Sequence, residues 1–168
     1  MAFVQVQRLY HRLRHVLRGS RRSRAARPPD PRVDADPWLA QMLDELGERY
    51  RLGNDVPDGI QVLRRTARAR FNPMRVYLRP SNRAVIGDYD VRLREGKSIP
   101  EGRGLLDRKV GARLSELGLR PSREAIEEWG GLVIVRRYEG LCQDAHRAAN
   151  AVRFMCEESE QVIDAVAE

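Results

Sequence analysis

Apolar positions along the chain change period several times, and each change marks an element. Between Asp36 and Gly53, residues Leu39, Met42, Leu43, Leu46 and Tyr50 fall at helical spacing. Asp36 is a good N-cap, Pro37 suits the first turn and Gly53 is placed as a C-terminal cap, so the pattern predicts a helix over this stretch. A turn follows at "NDVPDG". The run "IQVLRRTARARF" fits strand or helix by period alone. In "MRVYLR", Met74, Val76 and Leu78 alternate with Arg75, Tyr77 and Arg79. In "AVIGDYDVRLR", Val85, Gly87, Tyr89, Val91 and Leu93 alternate with Ile86, Asp88, Asp90, Arg92 and Arg94. Period two on both sides of "PSNR" predicts a hairpin with one apolar and one charged face.

Leu106, Val110, Leu114 and Leu117 then return to helical spacing, with Gly118 as a cap. "REAIEEWGGLVIVRRY" fits a helix running into a strand, or two strands around Gly130-Gly131; the paired glycines favour the hairpin. Leu141, Ala145, Ala148, Val152, Met155 and Val162 lie along one stripe and predict a long closing helix that holds both Cys142 and Cys156. The expected architecture is an α+β domain: an antiparallel sheet of three to five strands with helices packed on one face, preceded by a basic N-terminal arm. The element order is similar to that of small α+β secretion-chaperone-like domains, with no diagnostic residues accompanying the similarity.

Charge divides the chain. Residues 1–35 carry nine Arg against Asp30 and Asp34, whereas residues 36–168 carry 22 basic and 22 acidic side chains, so the formal charge of +7 belongs to the arm. Residues 1–35 therefore form an arm and tether, and residues 36–168 a single domain. Within the arm, Phe3, Val6, Leu9 or Tyr10, Leu13 and Val16 or Leu17 make an apolar stripe opposite Arg8, His11, Arg12, His15 and Arg18; Gly19 stops it, and a Ser/Arg/Pro-rich tether follows. Amphipathic, Arg-rich, Ser-containing and free of acid over residues 1–29, the segment resembles a mitochondrial transit peptide in composition. That resemblance implies a mitochondrial location in a eukaryote; in a bacterium the expected location is cytoplasmic. The competing readings are an arm on RNA or DNA phosphates, contact of residues 1–18 with an anionic membrane surface, and a solvated tail. No apolar run approaches the roughly 20 residues of a transmembrane segment, no secretory signal is expected, and two cysteines are too few for a disulfide scaffold.

Candidate chemistry is sparse. "EGKS" at 95–98 ends like a phosphate-binding loop, but Val91 stands where its first glycine belongs, and Pro100 follows where a helix would start. "GRG" at 102–104 lacks the third glycine of a dinucleotide fingerprint and is expected to be a flexible lead into the second helix. Cys142 and His146, four apart, could meet on one helix face, with nothing to complete a metal site. Asp88 with Asp90 and Glu127 with Glu128 are the carboxylate pairs. Cross-strand pairing with the Arg75/Arg79 strand accounts for the first and ordinary surface for the second. No cofactor is expected.

What remains is an acid-free stretch from Gly59 to Gly87 holding seven Arg. Arg64, Arg68, Arg70, Arg75, Tyr77, Arg79 and Arg83 form the candidate polyanion or partner site, since guanidinium forks beside an aromatic ring suit phosphates and stacked bases. The plain alternative is internal neutralisation by Asp88, Asp90 and the acidic helices. The sequence therefore points to a non-catalytic binding or assembly protein that contacts RNA or an acidic protein partner. A secretion-chaperone-like protein-binding module and an enzyme using Asp88, Asp90 or Cys142 are the alternatives.

Overall fold

The computed structural model describes residues 30–64, 74–128 and 130–158. The amphipathic arm of residues 1–29, Arg68, Arg70 and Val162 lie outside the described residues. Helix α1 (Pro31–Ala35) is a single turn capped by Asp30, inside the stretch read as tether, and Arg32 reaches from it to the Gly53 carbonyl and Asp55. In α2 (Pro37–Leu46), the Asp36 carboxylate accepts the N–H groups of Trp38 and Leu39, and Trp38, Leu39, Met42, Leu43 and Leu46 are buried. Such a cap contributes about 1 kcal/mol.

The helix ends at Gly47 (φ 73°), not at Gly53. Tyr50 misleads because it sits four residues after Leu46, as a helical neighbour would. It instead opens β1 (Tyr50–Val56), where Tyr50 and Leu52 point to the core at period two. Strand β2 (Gly59–Arg64) returns across Pro57 and Asp58, which settles the strand reading for Ile60 to Arg64. Strands β3 (Met74–Arg79) and β4 (Ala84–Arg92) form the expected hairpin around Pro80–Asn82 and Arg83, the latter at φ 54°.

Helix α3 (Ile99–Leu106) begins where Ser98 and Glu101 make a reciprocal capping box. A helix does start here, at Ile99 with Pro100 in its first turn, contrary to the sequence expectation, because proline is tolerated there. The phosphate-loop reading fails on other grounds: Val91 lies within β4, and the Ser98 hydroxyl is used as a cap. "GRG" is likewise helix rather than a flexible lead. Any Cβ on Gly102 would displace the ends of the Leu93 and Ile134 side chains where α3 crosses. The helix widens into a π turn at Asp107–Gly111 and continues as α4 (Ala112–Glu116). Gly118 (φ 91°) turns the chain into β5 (Arg120–Glu128), and Gly130-Gly131 joins it to β6 (Leu132–Leu141) as a hairpin. Helix α5 (Ala145–Arg153), capped by Asp144, ends in a π turn at Phe154–Glu158. Cys142 precedes this helix, so the four-residue spacing to His146 is not a helical one; Leu141, expected on the buried stripe, is 62% exposed at the end of β6.

All neighbouring strands are antiparallel, and the sheet has six strands in the order β1-β2-β3-β4-β6-β5, one more than the upper expectation. The extra strand is β1, hidden in the end of a predicted helix. Val62, Val76, Leu78, Val85, Tyr89, Val91 and Tyr138 meet α2, α3, α4 and α5 in one core. No helix among the described residues is long and apolar enough to cross a membrane.

Gly140 shows how tightly the layers meet, since a Cβ there would lie 2.3 Å from the Gly118 carbonyl oxygen. Backbone cannot swing aside as a side chain can. Gly140→Ala is expected to cost at least about 1–3 kcal/mol in urea unfolding; a wild-type midpoint would contradict this close approach.

Candidate functional site

Alternation along the strands leaves one face of the sheet without helices among the described residues. In register across it lie Arg75 opposite Asp88 opposite Arg137, and Tyr77 opposite Ile86 opposite Glu139. On β5, Arg123, Ala125 and Glu127 face Arg137, Val135 and Val133. The face is thus built of both charge signs.

Its centre is Arg137. Nε and Nη2 donate to the two oxygens of Asp88 at 2.7 and 2.8 Å, and Nη1 and Nη2 donate to those of Asp58 at 2.7 and 3.0 Å. Asp88 is its cross-strand neighbour and only 7% exposed. Asp58 comes from the turn before β2, a strand separated from β6 by β3 and β4. The turn therefore folds back over the sheet to reach it. The Arg137 hydrogen bonds hold the Asp58 carboxyl below the usual aspartate range. Around this clamp, Asp58, Arg75, Tyr77, Arg123, Glu127 and Arg137 help line a cavity of about 220 Å³.

Of the seven site residues expected from sequence, Arg75, Tyr77 and Arg79 share this face. Arg75 approaches Asp90 at 3.5 Å and Arg79 meets Glu139 at 3.1 Å, both as part-exposed pairs. Tyr77 is only 8% exposed, so its ring offers no open face to a base. Arg64 points to the other side of the sheet, where Nη1 donates to the Cys156 carbonyl at 2.9 Å. Arg83 sits in the β3–β4 turn and donates to Gln143 at 3.1 Å. Arg68 and Arg70 are outside the described residues. Arg137 and Arg123 were missed because nothing local marks an arginine in β6 as the partner of an aspartate 79 positions away.

The other candidates do not assemble into chemistry. Burial pushes the Cys142 thiol up, away from the thiolate a nucleophile needs, while its carbonyl accepts the Trp38 indole N–H. His146 is exposed, with Nδ1 2.5 Å from Glu45. Burial also raises the Asp90 carboxyl. Among the described residues no three His, Cys, Asp or Glu side chains gather as a metal site.

Compared with protein-family models, with curated proteins and with solved structures, the chain matches none. The reading of this face rests on its own geometry.

The depressed Asp58 pKa has a signed consequence. Asp58's contribution is fully present above the unfolded value of 3.8 and is lost as pH falls below it toward the lower folded value. Asp58→Asn should destabilise the protein near neutrality, with the gap to wild type narrowing as pH falls below about 4. Urea midpoints across that range give the answer; a gap constant with pH would place the Asp58 charge outside the clamp.

Proposed function

We propose that this protein is a non-catalytic binding or assembly protein whose open sheet face contacts an acidic protein partner. The observation that carries the reading is the pair Arg75 and Arg79, four residues apart on the same face of β3, with side chains that are 49% and 35% exposed on a face that no helix of the described residues covers. Each is held by one part-exposed carboxylate at a pairing strength of about 0–1 kcal/mol, so a partner's carboxylates can exchange with the internal ones at little cost. Their planar forks suit that exchange. Tyr77, between them, leaves no exposed ring for stacking, which favours protein over RNA as the partner. RNA remains the second reading, favoured by the acid-free run of arginines from Gly59 to Gly87.

The chaperone-like alternative needs a continuous apolar surface. Among the described residues the exposed large apolar side chains are Val56, Ile126 and Leu141, on three different strands. A mitochondrial address carried by residues 1–29 is part of the proposal and belongs to the sequence alone.

Poly-L-glutamate and poly(U) are suitable probes, titrated against salt with the full chain. Replacing Arg75 and Arg79 together with Gln should weaken poly-L-glutamate binding about tenfold, two exposed charges at up to about 1 kcal/mol each, and leave the thermal melt cooperative. Tighter binding to poly(U), with a salt slope reduced by about 1.4 in the double variant, would shift the assignment to RNA. Unchanged affinity for both probes would remove β3 from the contact.

A further inference from the structure

Strand β5 is the last in the sheet, so among the described residues one edge of its backbone has no strand beside it. Natural sheets blunt such edges with proline, bulges and charge, and at its start β5 uses the first two. There Pro121 lacks an N–H, and the register shifts between Pro121 and Arg123. From Arg123 to Glu128 the pairing is regular and the edge has an unusual pattern. Arg123 and Glu127 lie on the open face and make no side-chain hydrogen bond or ion pair with the described residues. Glu124, on the opposite face, is held by Arg103 and Arg136. Ile126, on that same face, is 37% exposed.

We infer that β5 pairs with β5 of a second copy, antiparallel, about a two-fold axis at Ala125. A two-fold normal to the sheet keeps each face on its own side, so only residues from the same face can stand opposite. An axis at Ala125 sets Arg123 of each copy against Glu127 of the other, twice, with the small Ala125 against itself and Ile126 against the stem of Glu124. An axis at Glu124 opposes two glutamates, and one at Ile126 opposes Glu124 to Glu128. The Ala125 register alone of these three joins opposite charges, at the 4.5–5.5 Å spacing where cross-strand pairs count. It gives Arg123 and Glu127 their missing partners and shelters Ile126. Because Arg123, Ala125 and Glu127 also line the open-face cavity, the cavities of the two copies flank the axis and the two sheets become one.

Sedimentation equilibrium of the full chain at low salt tests this. Wild type should dimerise. Arg123→Glu and Glu127→Arg should each weaken association about tenfold or more, by turning two attractive pairs into two repulsive ones. The double variant R123E/E127R should restore it, and since neither side chain makes a hydrogen bond or ion pair with the described residues, all four proteins should keep a cooperative melt. A wild type that stays monomeric, a dimer indifferent to either single reversal, or a double variant that fails to recover would each overturn the pairing.

Discussion

One guanidinium holds together the side of this sheet that no described helix covers. Arg137 makes four hydrogen bonds to two carboxylates, Asp88 beside it and Asp58 from a turn across two intervening strands. A charge as sheltered as Asp88 is costly to bury unless paired and bonded, and Arg137 supplies both. Because the second arm of the fork takes Asp58, the same interaction that neutralises Asp88 draws the β1–β2 turn over the face. Asp58 on that turn lines the cavity together with Arg75 and Tyr77, which β3 brings to the same place.

The preceding residue performs the matching role on the other side. Arg136 points toward the helices, where it bonds Glu124, Asp107 and the Tyr138 hydroxyl. Asp107 opens the π turn that carries α3 into α4, so Arg136 ties the helical crossover to the sheet. Bonds from Arg136 and Arg103 outweigh burial and keep the Glu124 carboxyl below its ordinary range. Tyr138 in turn meets Tyr89 edge to face, with ring centroids 5.6 Å apart. Two adjacent arginines, sent to opposite faces by the period of a strand, thus anchor different parts of the chain.

Much of this was legible in the residues. The β3–β4 hairpin, the Gly130-Gly131 turn and the Leu106 to Leu117 stripe each carried a local pattern, and local pattern sufficed. Strand β1 was hidden because Tyr50 satisfies both periods, and only the positive φ of Gly47 separates them. The face itself was visible in the alternation of Arg75, Tyr77 and Arg79, but its charge balance was not. The acid-free stretch from Gly59 to Gly87 is bracketed by Asp58 and Asp88, and both acids close on an arginine from outside the stretch. Pairing at such sequence separation leaves no local signal. Arg64 illustrates the same limit: it shares the basic run with Arg75, yet strand alternation sends it to the helix side.

The turn is tied to β6 only if Asp58 and Arg137 act as one unit. A double-mutant cycle of Asp58→Ala and Arg137→Met, read by urea unfolding at neutral pH, measures that directly. If the clamp holds the turn over the sheet, the two substitutions are coupled by about 1.5–3 kcal/mol. Costs that add to within about 0.5 kcal/mol would mean that the turn and β6 are independent, and the open face would lose the constraint that shapes it.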